Sequence, residues 1–482
     1  MFTYVYVAVM FGILKMTLGQ LNCPYEGCEC ERGVLGCAAQ NWKTLPKLLV
    51  SHVDNMQYLN LQGNPLTTIG AGSLPSGVSG IDFSNDPIST IDPAAFDGSS
   101  NTLGQLSFSK ARFTNLPTAL THLNKLQGLS IQDTAISKWD IDVINHIGLT
   151  LTGLTLDNVS LASWPDWIQY MPHLQELEMT CSFTTIPNNA FDAQANVLPT
   201  LRLTNGILSE IPLAISKLSA LTTLVLDYNK ISTISGLPSF GNLSSVSIQY
   251  NNVSNATHLS EALRSVADSL TYLEAEGNKL TSFPDFSFMT KLQTVYLSHN
   301  RIFDTNSGSI SSSVSYLEIK NNQIRSLVGF LTGGINLNYL GLGMNLITSI
   351  SGSDIPANVT ELDISSNLIS ELTDTSFPTN SKIDILTLDY NPISTVSSAS
   401  FAGLSKLGAL SLIGTKLTRL PLALSSLTGL FSLDMSYSPN LVCTCLEKSL
   451  RSWYVGRGLA SFGDCGPTSI DYFFTTLSAG CP

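Results

Sequence analysis

Chemistry needs particular residues in particular spacings, so the reactive residue types come first. The six histidines, His52, His122, His146, His173, His258 and His299, are scattered and form no metal-binding pair. No Gly-x-Ser-x-Gly elbow and no phosphate loop is present; the Gly pair in "LTGGINL" lacks the spacing and the lysine of such a loop. Glu274 and Glu276 stand two apart, on one side of a strand. Paired carboxylates can do acid–base chemistry, but here they fall on an open sheet, so they read as a solvated acidic face. The expectation is therefore a protein that is not an enzyme, with no catalytic residues, no metal and no cofactor.

The nine cysteines fall as four near the start (Cys23, Cys28, Cys30, Cys37), four near the end (Cys443, Cys445, Cys465, Cys481) and one between, Cys181. Two even clusters suggest disulfide-closed ends and an oxidising compartment. Spacing alone allows three connectivities in each cluster. Residues 2–14 are an apolar run of 13, too short to cross a bilayer and suited to a secretory leader cleaved after Gly19. No later stretch of 18 apolar residues follows, and the chain stops at Cys481-Pro482 without a hydrophobic tail, so no membrane span or lipid anchor is expected in this chain. Five Asn-x-Ser/Thr sequons, at Asn158, Asn242, Asn252, Asn255 and Asn358, are candidate glycan acceptors.

What positions these residues is a repeat. The chain has 482 residues, 43% hydrophobic and only 12% charged, with net charge −12. That balance supports a large core and argues against nucleic acid, whose phosphates require a basic footprint. From residue 56 to 440 one phrase recurs, apolar-x-x-Leu-x-Leu-x-x-Asn-x-Leu, as in "TLVLDYNKI" and "ILTLDYNPI". Seventeen copies are anchored at Leu59, Ile81, Leu106, Leu129, Leu154, Leu177, Leu201, Leu224, Val246, Leu273, Val295, Leu317, Leu340, Leu362, Leu386, Leu410 and Leu433, at spacings of 22 to 27 residues. Leu-x-Leu alternates in and out as a strand does. The Asn turns the chain, its amide satisfying backbone groups that leave the strand. One copy cannot bury its apolar side alone; stacked copies share a core.

This pattern resembles the leucine-rich repeat family, and the resemblance covers nearly the whole chain. It implies an α/β fold: a right-handed solenoid, or horseshoe, with a parallel β-sheet on the concave face and irregular or short helical turns on the convex side. "IDPAAFDG", "IPNNAF" and "SSASFAGL" match the convex segments of the extracellular type. "CPYEGCECERGVLGC" and "CTCLEKSLRSWYVGRG" resemble that type's terminal caps. The resemblance implies the pairs Cys23–Cys30, Cys28–Cys37, Cys443–Cys465 and Cys445–Cys481. The organisation expected is a signal peptide at 1–19, a cap at 20–55, repeats over 56–440 and a second cap at 441–482.

The Asn is uninterrupted from Asn229 to Asn391, whereas Asp86, Ala111, Thr134, Val159, the Cys181 region and Gly206 replace it earlier. A less regular segment is therefore expected near 100–215, with Cys181 at the Asn position and a second irregularity near 250–270. Positions between and just after the core leucines face solvent on the concave side. They carry eleven acids against three bases, Lys110, Arg202 and Lys320. Tyrosines join them, and tyrosine offers contact area at little entropy cost. The best candidate patch is Asp227, Tyr228, Gln249, Tyr250, Glu274, Glu276, Tyr296 and His299; Asp363, Asp389 and Tyr390, with Asp434 and Tyr437, form a second. The reading is a secreted recognition protein binding an extracellular protein, which the acids would favour if basic, or a glycan. The alternatives are a receptor ectodomain and an inhibitor or carrier subunit of a secreted enzyme.

Overall fold

The computed structural model describes residues 23–481 apart from 32, 53–57, 181, 236 and 240. The expected leader at 1–19 and Cys181 lie outside the described residues. The chain divides into two compact units, Met1–Leu151 and Thr152–Pro482, and the division falls inside the repeat tract.

The first unit opens with an antiparallel hairpin, Glu29–Glu31 against Val34–Gly36. The second of these strands starts a parallel sheet that continues through Tyr58–Asn60, Gly80–Phe83, Gln105–Ser109 and Gly128–Gln132. Leu35, Leu59, Ile81, Leu106 and Leu129 stand side by side in register, all buried. Disulfides Cys23–Cys30 and Cys28–Cys37 close the hairpin end. A helix, Ile141–Gly148, is started by Asp140, whose carboxylate accepts from the Asp142 NH and so satisfies an amide the helix itself leaves unpaired.

The second unit is a parallel sheet beginning with Gly153–Asp157, Glu176–Thr180, Thr200–Thr204 and Thr223–Val225. It then runs one strand per repeat to Ser432–Asp434 and ends on Ala460–Phe462 of the C-terminal cap. Every anchor from Leu154 to Leu433 pairs with the anchors beside it. Disulfides Cys443–Cys465 and Cys445–Cys481 tie the cap, and its Trp453 donates Nε1–H to the Leu427 carbonyl at 3.0 Å.

The buried asparagines explain the strand lengths. Asn229 Nδ2 donates to the Leu203 and Leu226 carbonyls at 2.8 and 3.1 Å, and its Oδ1 accepts from the Leu208 NH at 3.2 Å. Asn300 and Asn322 repeat the arrangement. Each amide takes carbonyls that a longer ladder would use, so these strands stop at three residues. Where the Asn is missing before Asn229 the ladder runs on, whereas the strands that precede Thr415 and Ser438 stay at three residues. Gln105–Ser109, Gly128–Gln132, Gly153–Asp157, Glu176–Thr180 and Thr200–Thr204 are five residues long. The segment expected to be less regular thus has the longest strands. The expected irregularity at 250–270 is the helix Ala256–Leu263, started by Asn255.

A second correction concerns Cys181. Register pairs Leu177 with Leu201 and Thr180 with Thr204, which sets Ser182, not Cys181, at the Asn position. Ser182 Oγ donates to the Leu161 carbonyl there.

Candidate functional site

The candidate residues all fall in the second unit, on the sheet face opposite the core. Two kinds of position supply them. Residues flanking each anchor alternate outward with the pleat. The residue just before the Asn position turns left-handed: φ is positive there in every repeat in which this residue is described, including Tyr228, Tyr250, His299, Tyr390 and Tyr437. Gly or Asn would take that conformation at less cost than a bulky ring. Tyrosine held there is backbone strain retained at a solvent-facing ledge.

The first patch is a continuous network. Tyr228 and Tyr250 stack at 4.7 Å with ring planes 8° apart. Asp227 Oδ1 accepts from Ser247 Oγ at 2.6 Å and from the Gln249 NH at 2.8 Å. Gln249 Nε2 donates to Glu274 Oε2 at 2.6 Å, and Tyr272 OH to Glu274 Oε1 at 2.5 Å. Tyr250 OH donates to Glu276 at 3.3 Å, with His299 Nε2 3.7 Å from the same carboxylate. Rings continue the path: Tyr272 to Tyr296 at 5.7 Å, Tyr296 to Tyr316 at 5.2 Å, and Tyr316 stacked on Tyr339 at 4.1 Å. Tyr316 OH donates to Glu318 at 2.8 Å. Burial, and then the glutamates at their hydroxyls, push the Tyr272 and Tyr316 phenols above the usual range, so both remain donors near neutral pH.

The second patch is differently built. Asp363 is engaged by Lys320 at 3.0 Å, which reaches past Gly341 and Gly343 of the intervening repeat. A Cβ on Gly341 would meet the Tyr339 ring at 3.0 Å and Lys320 Cε at 3.1 Å. Burial opposes the Lys320 charge, but Tyr339, Asp363 and Glu318 outweigh it and raise its pKa. Asp389 Oδ1 accepts from Ser411 Oγ at 2.5 Å and the Ile413 NH at 2.9 Å. Tyr390 lies against Gly414, and Asp434 caps the Ser436 NH.

Two of the acids read as solvent-facing therefore have structural work. Asp227 and Asp389 are half-buried, and each bridges to the next strand through a hydroxyl and a backbone NH. Burial raises both pKa values, with those hydrogen bonds opposing it. Glu274 differs: among the described residues no cation lies within ion-pair reach of it, although both its oxygens are held by neutral donors. Tyr272, Tyr316 and Tyr339 were missed by reading only positions between and after the core leucines. The residue before the anchor also faces out, and "Tyr-Leu" recurs at Tyr58, Tyr272, Tyr316 and Tyr339; that recurrence was the available signal.

Gly277 tests the packing of this network. It occupies the left-handed position with φ +66°, and a Cβ there would meet Tyr250 ring atoms at 2.5 Å. Gly277→Ala should cost about 1–2 kcal/mol and displace Tyr250 from Tyr228, seen as a lower melting temperature with a changed near-ultraviolet tyrosine signal. An unchanged signal would contradict the packing described.

Similarity to known proteins agrees with this architecture. The family model "Leucine rich repeat" matches residues 357–417 and 382–440. Residues 357–440 thus carry leucine-rich repeats, and the chain has the leucine-rich repeat fold. Human "Leucine-rich repeats and immunoglobulin-like domains protein 1" is 27% identical over 179 residues, 37% of this chain and 16% of that protein. The leucine-rich repeat chain thus spans only a small part of that relative. A leucine-rich repeat protein of Leptospira interrogans superimposes with TM-score 0.56 at 19% identity, covering 88% of this chain and 93% of that one. The TLR13 chain of a TLR13–ssRNA13 complex superimposes with TM-score 0.57 at 18% identity, over 86% and 75% of the respective chains. At these identities the solved structures share the fold.

Proposed function

We propose that this leucine-rich repeat protein is a secreted, non-enzymatic recognition protein. Its binding surface is the sheet face from Asp227 to Lys320, and its partner is an extracellular protein that presents basic groups there. The observation that carries the reading is the tyrosine–glutamate network, fixed before any partner arrives. Preformed aromatic surface avoids the entropy cost of ordering flexible side chains on binding. Glu274, which has no cation within ion-pair reach among the described residues, and the acids around it supply the sign. Disulfides at both ends support an oxidising compartment.

Between the two partner classes expected from sequence, the rings favour protein. Sugars stack on open ring faces, whereas Tyr250 gives one face to Tyr228 and Tyr339 gives one to Tyr316, which leaves Tyr228 and Tyr250 exposed but not as single open platforms. RNA, which the name of the TLR13 complex suggests, fits poorly, because phosphates would meet Glu274, Glu276 and Glu318. The longer human relative motivates the receptor alternative, in which the same face would bind.

Charge reversal separates these readings. Asp227 is unsuitable for this test because it holds the next strand. Glu274→Lys with Glu276→Lys should weaken capture of a basic partner by roughly ten-fold or more, mostly through association rate and salt dependence, with the fold kept. Unchanged affinity, measured by surface capture at two salt concentrations, would remove this face from the proposal.

A further inference from the structure

On the opposite side of the repeats, a groove of about 480 Å³ lies between two neighbouring turns, within the ~300–1,000 Å³ range of small-ligand sites. Its lining is apolar at Leu331, Ile335 and Pro356 and polar at Thr332, Ser353 and Asp354, and Asn358 borders it. Ile335 is 60% exposed. Covering it would remove apolar surface from water. Asn358 is the acceptor of the sequon Asn358-Val359-Thr360, so the groove is lined by the attachment point of a possible occupant.

We infer that the groove seats the first sugars of an N-linked glycan on Asn358, so that the modification becomes part of the fold. The inference rests on the secreted reading, since the glycan is added in the secretory pathway. In that step Nδ2 of Asn358 attacks C1 of an oligosaccharide carried on a lipid pyrophosphate. The Nδ2–C1 bond forms, the C1–O bond breaks, the lipid pyrophosphate leaves, and Nδ2 gives up one proton.

The amide is already set for this. Nδ2 donates to the Ile335 carbonyl at 2.6 Å, and Oδ1 accepts from Lys382 Nζ at 2.6 Å. The hydrogen that remains on a glycosylated Nδ2 is enough to keep the first bond, and the linkage leaves Oδ1 free for the second. The side chain is then held at both polar atoms, beside the groove that Asn358 lines. An N-acetylglucosamine ring has an apolar C–H face and an acetyl methyl for Ile335 and Pro356, and hydroxyls for Thr332. Asn242 provides an internal comparison. It stands four residues before its anchor, as Asn358 does, and donates Nδ2 to the Ser219 carbonyl at 2.7 Å, but its side chain is exposed.

The test uses the full chain made in a eukaryotic secretory host. Peptide mass spectrometry measures occupancy, and an endoglycosidase that cuts within the two-sugar core is applied to native and denatured protein. Release from native protein should be about ten-fold slower at Asn358 than at Asn242 or Asn255, the factor that ~1.4 kcal/mol of contact confers. The rates should converge on denaturation. Ile335→Glu, on an exposed side chain, should restore fast release from native protein. Equal native rates, or an unmodified Asn358 beside modified sequons, would overturn the groove assignment and leave the secreted reading standing. No modification at any of the five sequons would likewise overturn the groove assignment, and would leave the secreted reading standing because secretion does not require a glycan.

Discussion

Replacing Asp86 by Asn should stabilise the N-terminal unit, by about 2–3 kcal/mol near pH 8. Asp86 stands at the Asn position of its repeat and is fully buried. In the neighbouring repeat Asn64 Nδ2 donates to the Cys37 and Leu61 carbonyls at 2.9 and 2.6 Å, and its Oδ1 accepts from the Trp42 NH at 3.2 Å. A carboxylate can accept but cannot donate, so Asp86 meets the same kind of carbonyl environment with the wrong chemistry. Neither of its oxygens has a partner of full hydrogen-bond geometry. Burial, only partly offset by the Asn64 backbone and reinforced by nearby Asp82, pushes its pKa up to about 8.

The sign follows from linkage. The folded pKa lies above the unfolded value of about 3.9, so the unfolded chain releases this proton first as pH rises. Stability on this account is full below about pH 4 and falls progressively to about pH 8. The full shift would correspond to about 6 kcal/mol at ~1.36 kcal/mol per pH unit; relaxation around the ionised group brings the expected effect down to the smaller figure. Urea unfolding at about pH 5 and about pH 8 should show a falling midpoint for the native sequence and a flatter, higher one for Asp86→Asn. A variant less stable than the native sequence at the higher pH would show that Asp86 is properly paired.

Glu447→Ala should destabilise the C-terminal unit by about 3–4 kcal/mol. Glu447 has no exposed surface. Its Oε2 accepts from the Thr444 NH and hydroxyl at 2.7 and 3.0 Å, closing a capping box. Its Oε1 accepts from Arg419 Nε at 2.6 Å, and Arg419 Nη2 also pairs with it. One carboxylate therefore joins the cap to the last repeats. Truncation would leave the Thr444 NH and the Arg419 guanidinium without their acceptor. Arg419→Ala should also destabilise, because it leaves the fully buried Glu447 carboxylate without its cation. Thermal unfolding in which neither change lowers the midpoint would contradict this account of the cap.

Much of the fold was legible because a single period governs it. The apolar anchors fix the phase, and once phase is known the Asn position, the left-handed turn and the outward positions follow by counting. The errors arose where counting met local substitution. Loss of the Asn at Ala111, Thr134, Val159 and Gly206 read as disorder of the pattern, but removing a turn-forming amide frees carbonyls to extend the ladder, and the strands lengthened. The anchor Leu177 sets the Asn position at Ser182, one residue beyond Cys181, which counting back from Phe183 and Ile186 does not reveal. In the site, types and faces were readable, but bonding was not. Asp227 and Glu274 both read as solvent-facing acids in sequence, yet one bridges strands and, among the described residues, the other has no cation within ion-pair reach. Lys320 reaching Asp363 depends on Gly341 and Gly343 lying between them, a three-repeat relation that no single motif contains. The buried pairing of Arg419 with Glu447 is similarly a contact between a repeat and a cap.

The most direct test of the recognition face compares immobilised native protein, Glu274→Lys/Glu276→Lys and a control, Glu261→Lys/Glu371→Lys, whose exposed acids lie away from this network. Extracellular fluid from the source is passed over each, and bound proteins are quantified and cross-linked. Recognition through the tyrosine–glutamate network predicts a basic protein retained by the native and control surfaces, cross-linked near Tyr250 to Tyr316, and lost from the Glu274/Glu276 variant. Equal retention on all three, with cross-links elsewhere, would contradict it.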